Sequence, residues 1–180
     1  MQLDKVKSLP KKVINNIEGI EGLTVYLVQD YNNQFLRRLV DFGEKIFGEL
    51  GMDEWGLVPQ IRHGNVYVLK EENKKTISGL AILMRDWEDS EKVYLFDYAI
   101  ADDLQGNRLG YYFLKIVINN IEEQGFKRMS LTVDTENDPA IKLYEKMGFK
   151  VVEKNIDEYG KSHDRFIMEI EFEEAKLITK

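Results

Sequence analysis

Residues 104–115, LQGNRLGYYFLK, set two glycines four apart at the entrance to an apolar run. Before them lies KVYLFDYAIA (92–101), which reads as a buried strand. After them Leu109, Phe113, Ile116, Val117 and Ile121 recur at helical spacing. The turn therefore joins a strand to a helix. The first N–H groups of a helix have no internal acceptor, and its aligned peptide dipoles favour an anion there. Gly106 and Gly110 remove side chains that would hold a phosphate away from the backbone, and Arg108 adds a cation. A bare strand-to-helix connection would use the same glycines, so spacing alone leaves both readings open.

Working outward, MSLTVD (129–134) is β-branched and reads as a strand, parallel to 92–101 because a helix intervenes. PAIKLYEKM then reads as a helix, with Asp138 as its N-cap, Pro139 at the first helical position and Gly148 as the left-handed residue past its end. FKVVEKNI and DRFIMEIEFE form a hairpin around DEYGKSH. Upstream, LTVYLVQ (23–29) alternates like a strand, and Phe35, Leu36, Leu39, Phe42, Ile46 and Leu50 give 32–50 a helical stripe. Pro59 and Gly64 punctuate 52–64, which reads as a loop with one short helical segment. Strands follow at 65–71 and 76–86, and polar turns make them antiparallel neighbours of each other and of 92–101. VINNIEGI (13–20) reads as a short amphipathic helix within an N-terminal extension, residues 1–22, of a single domain spanning 1–180.

Composition removes several classes of function. The chain has no cysteine, so disulfides, thiolate nucleophiles and Cys-based metal sites are excluded, and two distant histidines give no metal-site spacing. A net charge of -7 argues against general nucleic-acid binding. No apolar run is long enough for a membrane span and the N-terminus lacks a secretory apolar block, so a cytoplasmic protein is expected. The turn has no Gly-Lys-Ser/Thr ending and lacks the three-glycine dinucleotide pattern.

The motif Gln105-Gly106-Asn107-Arg108-Leu109-Gly110, preceded by Ala99 and Ile100, resembles the pyrophosphate motif of the GNAT superfamily of acyl-CoA-dependent N-acyltransferases, Gln/Arg-x-x-Gly-x-Gly/Ala. Arg108 stands where that motif has its middle glycine. A second stretch, NDPAIKLYEKMGF (137–149), resembles the family's Asn-x-x-Ala-x-x-Leu-Tyr-x-x-x-Gly-Phe segment at each named position. Pattern and resemblance together predict an α/β fold: a mixed, mostly antiparallel sheet of about seven strands flanked by helices on both faces.

The resemblance implies acetyl-CoA as co-substrate, no metal, and a primary amine of a small molecule or peptide as acceptor, with no nucleic-acid or membrane partner and a homodimer left open. It places the diphosphate on Gln105, Gly106, Asn107, Arg108, Leu109, Gly110 and Tyr111, and the pantetheine on main-chain groups of Ala99 and Ile100. Asn137 would lie near the pantetheine arm or act only on the local backbone. Tyr144 would contact the carrier and protonate its departing thiolate, a task suited to a phenol with an ordinary pKa of about 10. Asp97, alone among apolar residues in VYLFDYAI, is a candidate base or an anchor for a cationic acceptor, or else pairs within the sheet. Tyr94, Tyr98, Trp55 and Glu54 are candidate acceptor-pocket residues. A non-catalytic acyl-CoA sensor is the alternative function, and a nicotinamide-dependent oxidoreductase a third.

Overall fold

The computed structural model describes residues 12–16, 22–72 and 74–173, the first segment by its backbone alone. Eight strands and four α-helices follow one another: β1 (Lys12–Asn16), β2 (Leu23–Leu27), α1 (Asn33–Phe47), α2 (Glu54–His63), β3 (Asn65–Glu71), β4 (Gly79–Arg85), β5 (Lys92–Ile100), α3 (Leu109–Glu123), β6 (Arg128–Asp134), α4 (Asp138–Met147), β7 (Lys150–Asn155) and β8 (Arg165–Glu171). The ladders run in the order β1-β2-β3-β4-β5-β6-β8-β7. Parallel pairing joins β5 to β6, while the β1–β2, β2–β3, β3–β4, β6–β8 and β7–β8 pairs are antiparallel. The mixed sheet expected from the sequence is thus present, with one strand more than the seven read there.

That added strand is β1. Residues 13–16 were expected to open a helix, but Val13 pairs with Tyr26 and Asn16 with Thr24 in an antiparallel ladder. A β-branched pair, Val13 and Ile14, suits a pleated surface once a partner strand is available, and that partner is supplied by tertiary structure. Residues 17–20, the rest of the expected helix, lie outside those described.

The chain forms two compact units, threaded by β5 and α3. The first holds the described residues up to Met84 together with Asp97–Val117; the second holds Arg85–Phe96 and the residues from Ile118 onward. In the first unit the register sets Val66 opposite Ile82 and Val68 opposite Leu80, so all four share a face. On that face they join Phe35, Leu36, Leu39, Val40 and Phe42 of α1, Leu57 and Ile61 of α2, and Ala99 of β5 in one buried cluster. Tyr98 alternates with Ala99, so it points to the opposite face, where its ring stacks on Phe113 of α3 at 5.5 Å. Helices therefore cover both faces.

Segment 52–64 corrects the expected loop: α2 occupies most of it despite Pro59. Asp53 caps it by accepting from the Gly56 N–H at 2.9 Å. Pro59 leaves the Trp55 carbonyl without its helical donor, but Trp55 and Pro59 are exposed and water can serve. Burial of Leu57 and Ile61 outweighs the local breaker.

In the second unit Val93 pairs with Met129 and Leu95 with Leu131, and Met129 and Leu131 pair in turn with Ile170 and Met168. These six buried side chains line a single face. The parallel pairs end at Leu95↔Leu131, whereas β5 continues to Ile100 and β6 to Asp134. Strand β7 closes the order as an edge, exposed over Lys150–Lys154 and broken in register between Val151 and Glu153.

Helix α4 ends as read, with Gly148 left-handed at φ 103. Its N-cap is Asn137 rather than Asp138: the Asn137 side chain accepts from the Ala140 N–H at 3.2 Å and Asp138 is the first helical residue. Replacing Asn137 by alanine removes that acceptor and is expected to cost about 1 kcal/mol, which a thermal melt would register as a fall of roughly 2–4 °C.

Candidate active site

In the first unit, β5 leads through a short 3-10 turn, Asp102–Leu104, into the glycine-containing turn and α3. Gln105 braces this path: its Nε2 donates to the Ile100 carbonyl at 3.1 Å and to Asp102 Oδ1 at 3.2 Å. Gly106 has φ 81 and Arg108 φ 59, both left-handed. The first suits glycine at no steric cost. The second is costly for arginine, by about 1–2 kcal/mol, and it falls at the position where the resembling motif has glycine. The backbone at this position therefore takes a conformation that favours glycine, although the residue is arginine.

The two left-handed residues turn a run of amides outward. Among the described residues, nothing accepts from the N–H groups of Gly106, Asn107, Arg108, Leu109 or Gly110; the helical ladder starts with Tyr112 N–H donating to the Arg108 carbonyl at 3.2 Å. Residues 105–108 are exposed. Five unspoken-for donors, a helix N-terminus and an exposed guanidinium form a donor set suited to the oxygens of a diphosphate.

Tyr98 holds this helix end, its hydroxyl donating to the Gly110 carbonyl while its ring lies on Phe113. This candidate acceptor-pocket residue thus also supports the turn. Gly79 was not singled out in the sequence. A Cβ there would come within 2.9 Å of Ile100 Cδ1 and 3.1 Å of the Ala99 carbonyl oxygen, so its bareness lets β5 pass with Ala99 and Ile100 buried. Glycine within a strand was the available signal.

Asp97 is largely withdrawn from solvent, and burial alone pushes its carboxyl up to about 6. Among the described residues its side chain has no hydrogen-bond or ion-pair partner, so the structure does not support the reading that it pairs within the sheet. A carboxyl poised near neutrality without a structural partner fits proton transfer. Glu54 pairs with Arg37 at 3.3 Å and Trp55 is exposed.

In the second unit Tyr144 is buried on α4, its ring centroid 5.6 Å from that of Phe149. Its carbonyl accepts from Gly148 and Phe149 in the helix-ending turn, which fixes the backbone beneath the side chain. Tyr94 is engaged with Thr132, hydroxyl to hydroxyl at 2.8 Å, and Thr132 reaches the Tyr159 hydroxyl at 3.3 Å. No helix among the described residues is long and apolar enough to cross a membrane.

Comparison with known proteins gives a consistent picture. A model of the acetyltransferase (GNAT) family matches residues 26–149. Mycothiol acetyltransferase of Corynebacterium aurimucosum is 36% identical over 56 residues, 31% of this chain but only 18% of that relative's length. Among solved structures, the ribosomal-protein-S18-alanine N-acetyltransferase of Escherichia coli superposes with a TM-score of 0.67 at 22% identity, covering 83% of this chain and 93% of its own. A GNAT family acetyltransferase of Elizabethkingia anophelis, solved with acetyl-CoA bound, superposes at 0.65 and 17% identity, over 85% of this chain and 100% of its own. At these identities the superpositions show the fold alone.

Proposed function

Because the chain belongs to the GNAT acetyltransferase family, we propose that it moves an acetyl group from acetyl-CoA to a primary amine of a small molecule or peptide. The observation that carries this reading is the run of five amides without acceptors from Gly106 to Gly110. These amides, with Gln105, Arg108 and Tyr111 around them, are assigned to the carrier's diphosphate. Main-chain groups of Ala99 and Ile100, on the stretch of β5 beyond its last pair with β6, are assigned to the pantetheine arm, and Asn137 to its neighbourhood.

The thioester supplies an activated carbonyl. Attack requires a neutral amine, whereas an alkylammonium has an ordinary pKa near 10.4, so a proton must leave. Asp97 takes that proton, a role supported by its desolvated, unpartnered carboxyl. The C–N bond forms and the C–S bond breaks; the Tyr144 hydroxyl protonates the leaving sulfur, the new amide nitrogen sheds its second proton to solvent, and solvent restores the proton of the Tyr144 phenolate. Burial of Tyr144 on a capped helix supports a fixed donor.

Calorimetric titration with acetyl-CoA and with free coenzyme A, followed by thiol release over a panel of small amines and peptides, tests the reading. Binding with amine-dependent thiol release is expected. Absence of any complex would overturn the assignment of the turn, and binding without release would leave a sensor. Tyr144→Phe is expected to lower turnover at least tenfold, about 1.4 kcal/mol at the barrier, with acetyl-CoA affinity unchanged. Unaltered turnover would remove Tyr144 from the mechanism.

A further inference from the structure

The turn between β4 and β5, residues 86–91, carries the most exposed large apolar side chain described, Trp87 at 99%. The backbone beneath it is unusually well braced for a surface turn. Asp86 Oδ1 accepts from the N–H groups of Glu88 at 2.9 Å and Asp89 at 3.0 Å, and Asp89 Oδ1 from that of Glu91 at 3.0 Å. The Lys92 N–H donates to the Asp89 carbonyl and the Asp86 N–H to the Lys92 carbonyl, each at 3.1 Å. Ion pairs tie Asp86 to Lys92 at 3.0 Å, Asp89 to Arg128, and Glu91 to Lys127. An indole held in water on a pre-ordered turn has the character of an interface anchor, since little ordering remains to be done on contact.

The charges around the indole indicate what it meets. Asp86, Asp89 and Glu91 are neutralised within the chain by those cations. Two exposed side chains flanking Trp87 keep their charge: Glu88 and Arg85, neither in an ion pair among the described residues. The Arg85 guanidinium lies over the Phe126 ring at 5.4 Å and is thereby oriented. An apolar centre with one positive and one negative flank is complementary to itself after rotation about a two-fold axis. A patch suited to a basic partner would have left the three turn carboxylates uncompensated.

We propose that this turn is a self-association surface. Two copies of the chain pair about a two-fold axis, with Trp87 against Trp87 of the partner subunit and Arg85 against Glu88 of the partner subunit. Such a patch is small against the roughly 800 Å² per partner of a stable interface, so the pairing is weak and depends on concentration.

Sedimentation equilibrium of the full chain over a hundredfold concentration range is expected to show the mass rising from 21.1 kDa towards twice that value. Trp87→Ala and Glu88→Arg are each expected to weaken association at least tenfold while leaving the circular-dichroism melt unchanged. The double exchange Arg85→Glu with Glu88→Arg is expected to restore it to within about threefold, because the two-fold pairing is again complementary. A monomer at every concentration would overturn the proposal and leave the turn to a partner other than a second copy of this chain. An association indifferent to Trp87→Ala would place the contact elsewhere. Failure of the double exchange to restore what Glu88→Arg loses would overturn the two-fold arrangement. Acetyl transfer is independent of all three outcomes.

Discussion

Asp97→Asn is expected to lower kcat by about a hundredfold, the ordinary contribution of a positioned general base, and at the same time to make the protein more stable above pH 6. Both follow from one fact. Burial raises the carboxyl from 3.8 to about 6, so between those values the folded chain holds a proton that the unfolded chain releases. Stability therefore falls as pH rises through that window and stays reduced above it, by at most about 3 kcal/mol. Asparagine cannot ionise and escapes the loss. Melts of the two proteins should coincide near pH 4 and separate by pH 7, the variant melting higher. The acid limb of kcat/KM, centred near 6 in the native chain, should vanish in the variant. Equal melting at pH 7 would mean that Asp97 is not desolvated, and an unchanged kcat would mean that another group takes the proton.

Arg108 gives the second large effect, and it too separates stability from function. Arg108→Gly relieves a left-handed backbone at φ 59 that costs arginine about 1–2 kcal/mol. Glycine's greater freedom in the unfolded chain offsets part of this. The expected net gain is below about 1 kcal/mol, a rise of a few degrees in Tm. Coenzyme A affinity should nevertheless fall about tenfold, as one charge-assisted contact is lost. Arg108→Glu keeps the strain and places a carboxylate beside the open amides of Gly106–Gly110. It should weaken coenzyme A at least thirtyfold, with a loss that shrinks as salt rises. Titrations in low and high salt check the sign, and coenzyme A binding equally well to all three proteins would separate the diphosphate from this turn.

Local features were legible in the sequence in proportion to how local they are. The end of α4 is set by Gly148, one residue past the helix, and it stands where the sequence put it. Its start was displaced by one because Asn137 and Asp138 are both good caps, and only geometry shows which side chain reaches Ala140. The amide turn was legible because Gly106 sits between a strand and an apolar helix. Helix α2 was hidden by the breakers Pro59 and Gly64, since the burial of Leu57 and Ile61 that outweighs Pro59 comes from α1 and the sheet. Strand β1 was hidden for a like reason: its partner is a separate strand, β2, and the periodicity of VINNIEGI carries no trace of it. The support Tyr98 lends to Gly110 spans twelve residues and depends on how β5 and α3 pack, which no spacing rule encodes.

The exposed edge strand β7 has a consequence for how the protein behaves when crowded. Val151 and Val152 sit in water on a strand with an open hydrogen-bonding side, the sort of segment on which stray chains stack into fibres. The slip in register between Val151 and Glu153 bends that side out of line, and the exposed charged residues Lys150, Glu153 and Lys154, the last paired with Asp164 at 3.1 Å, surround the valines. A copy approaching edge to edge finds neither a straight template nor an uncharged one, so the valines can remain wet without nucleating aggregates.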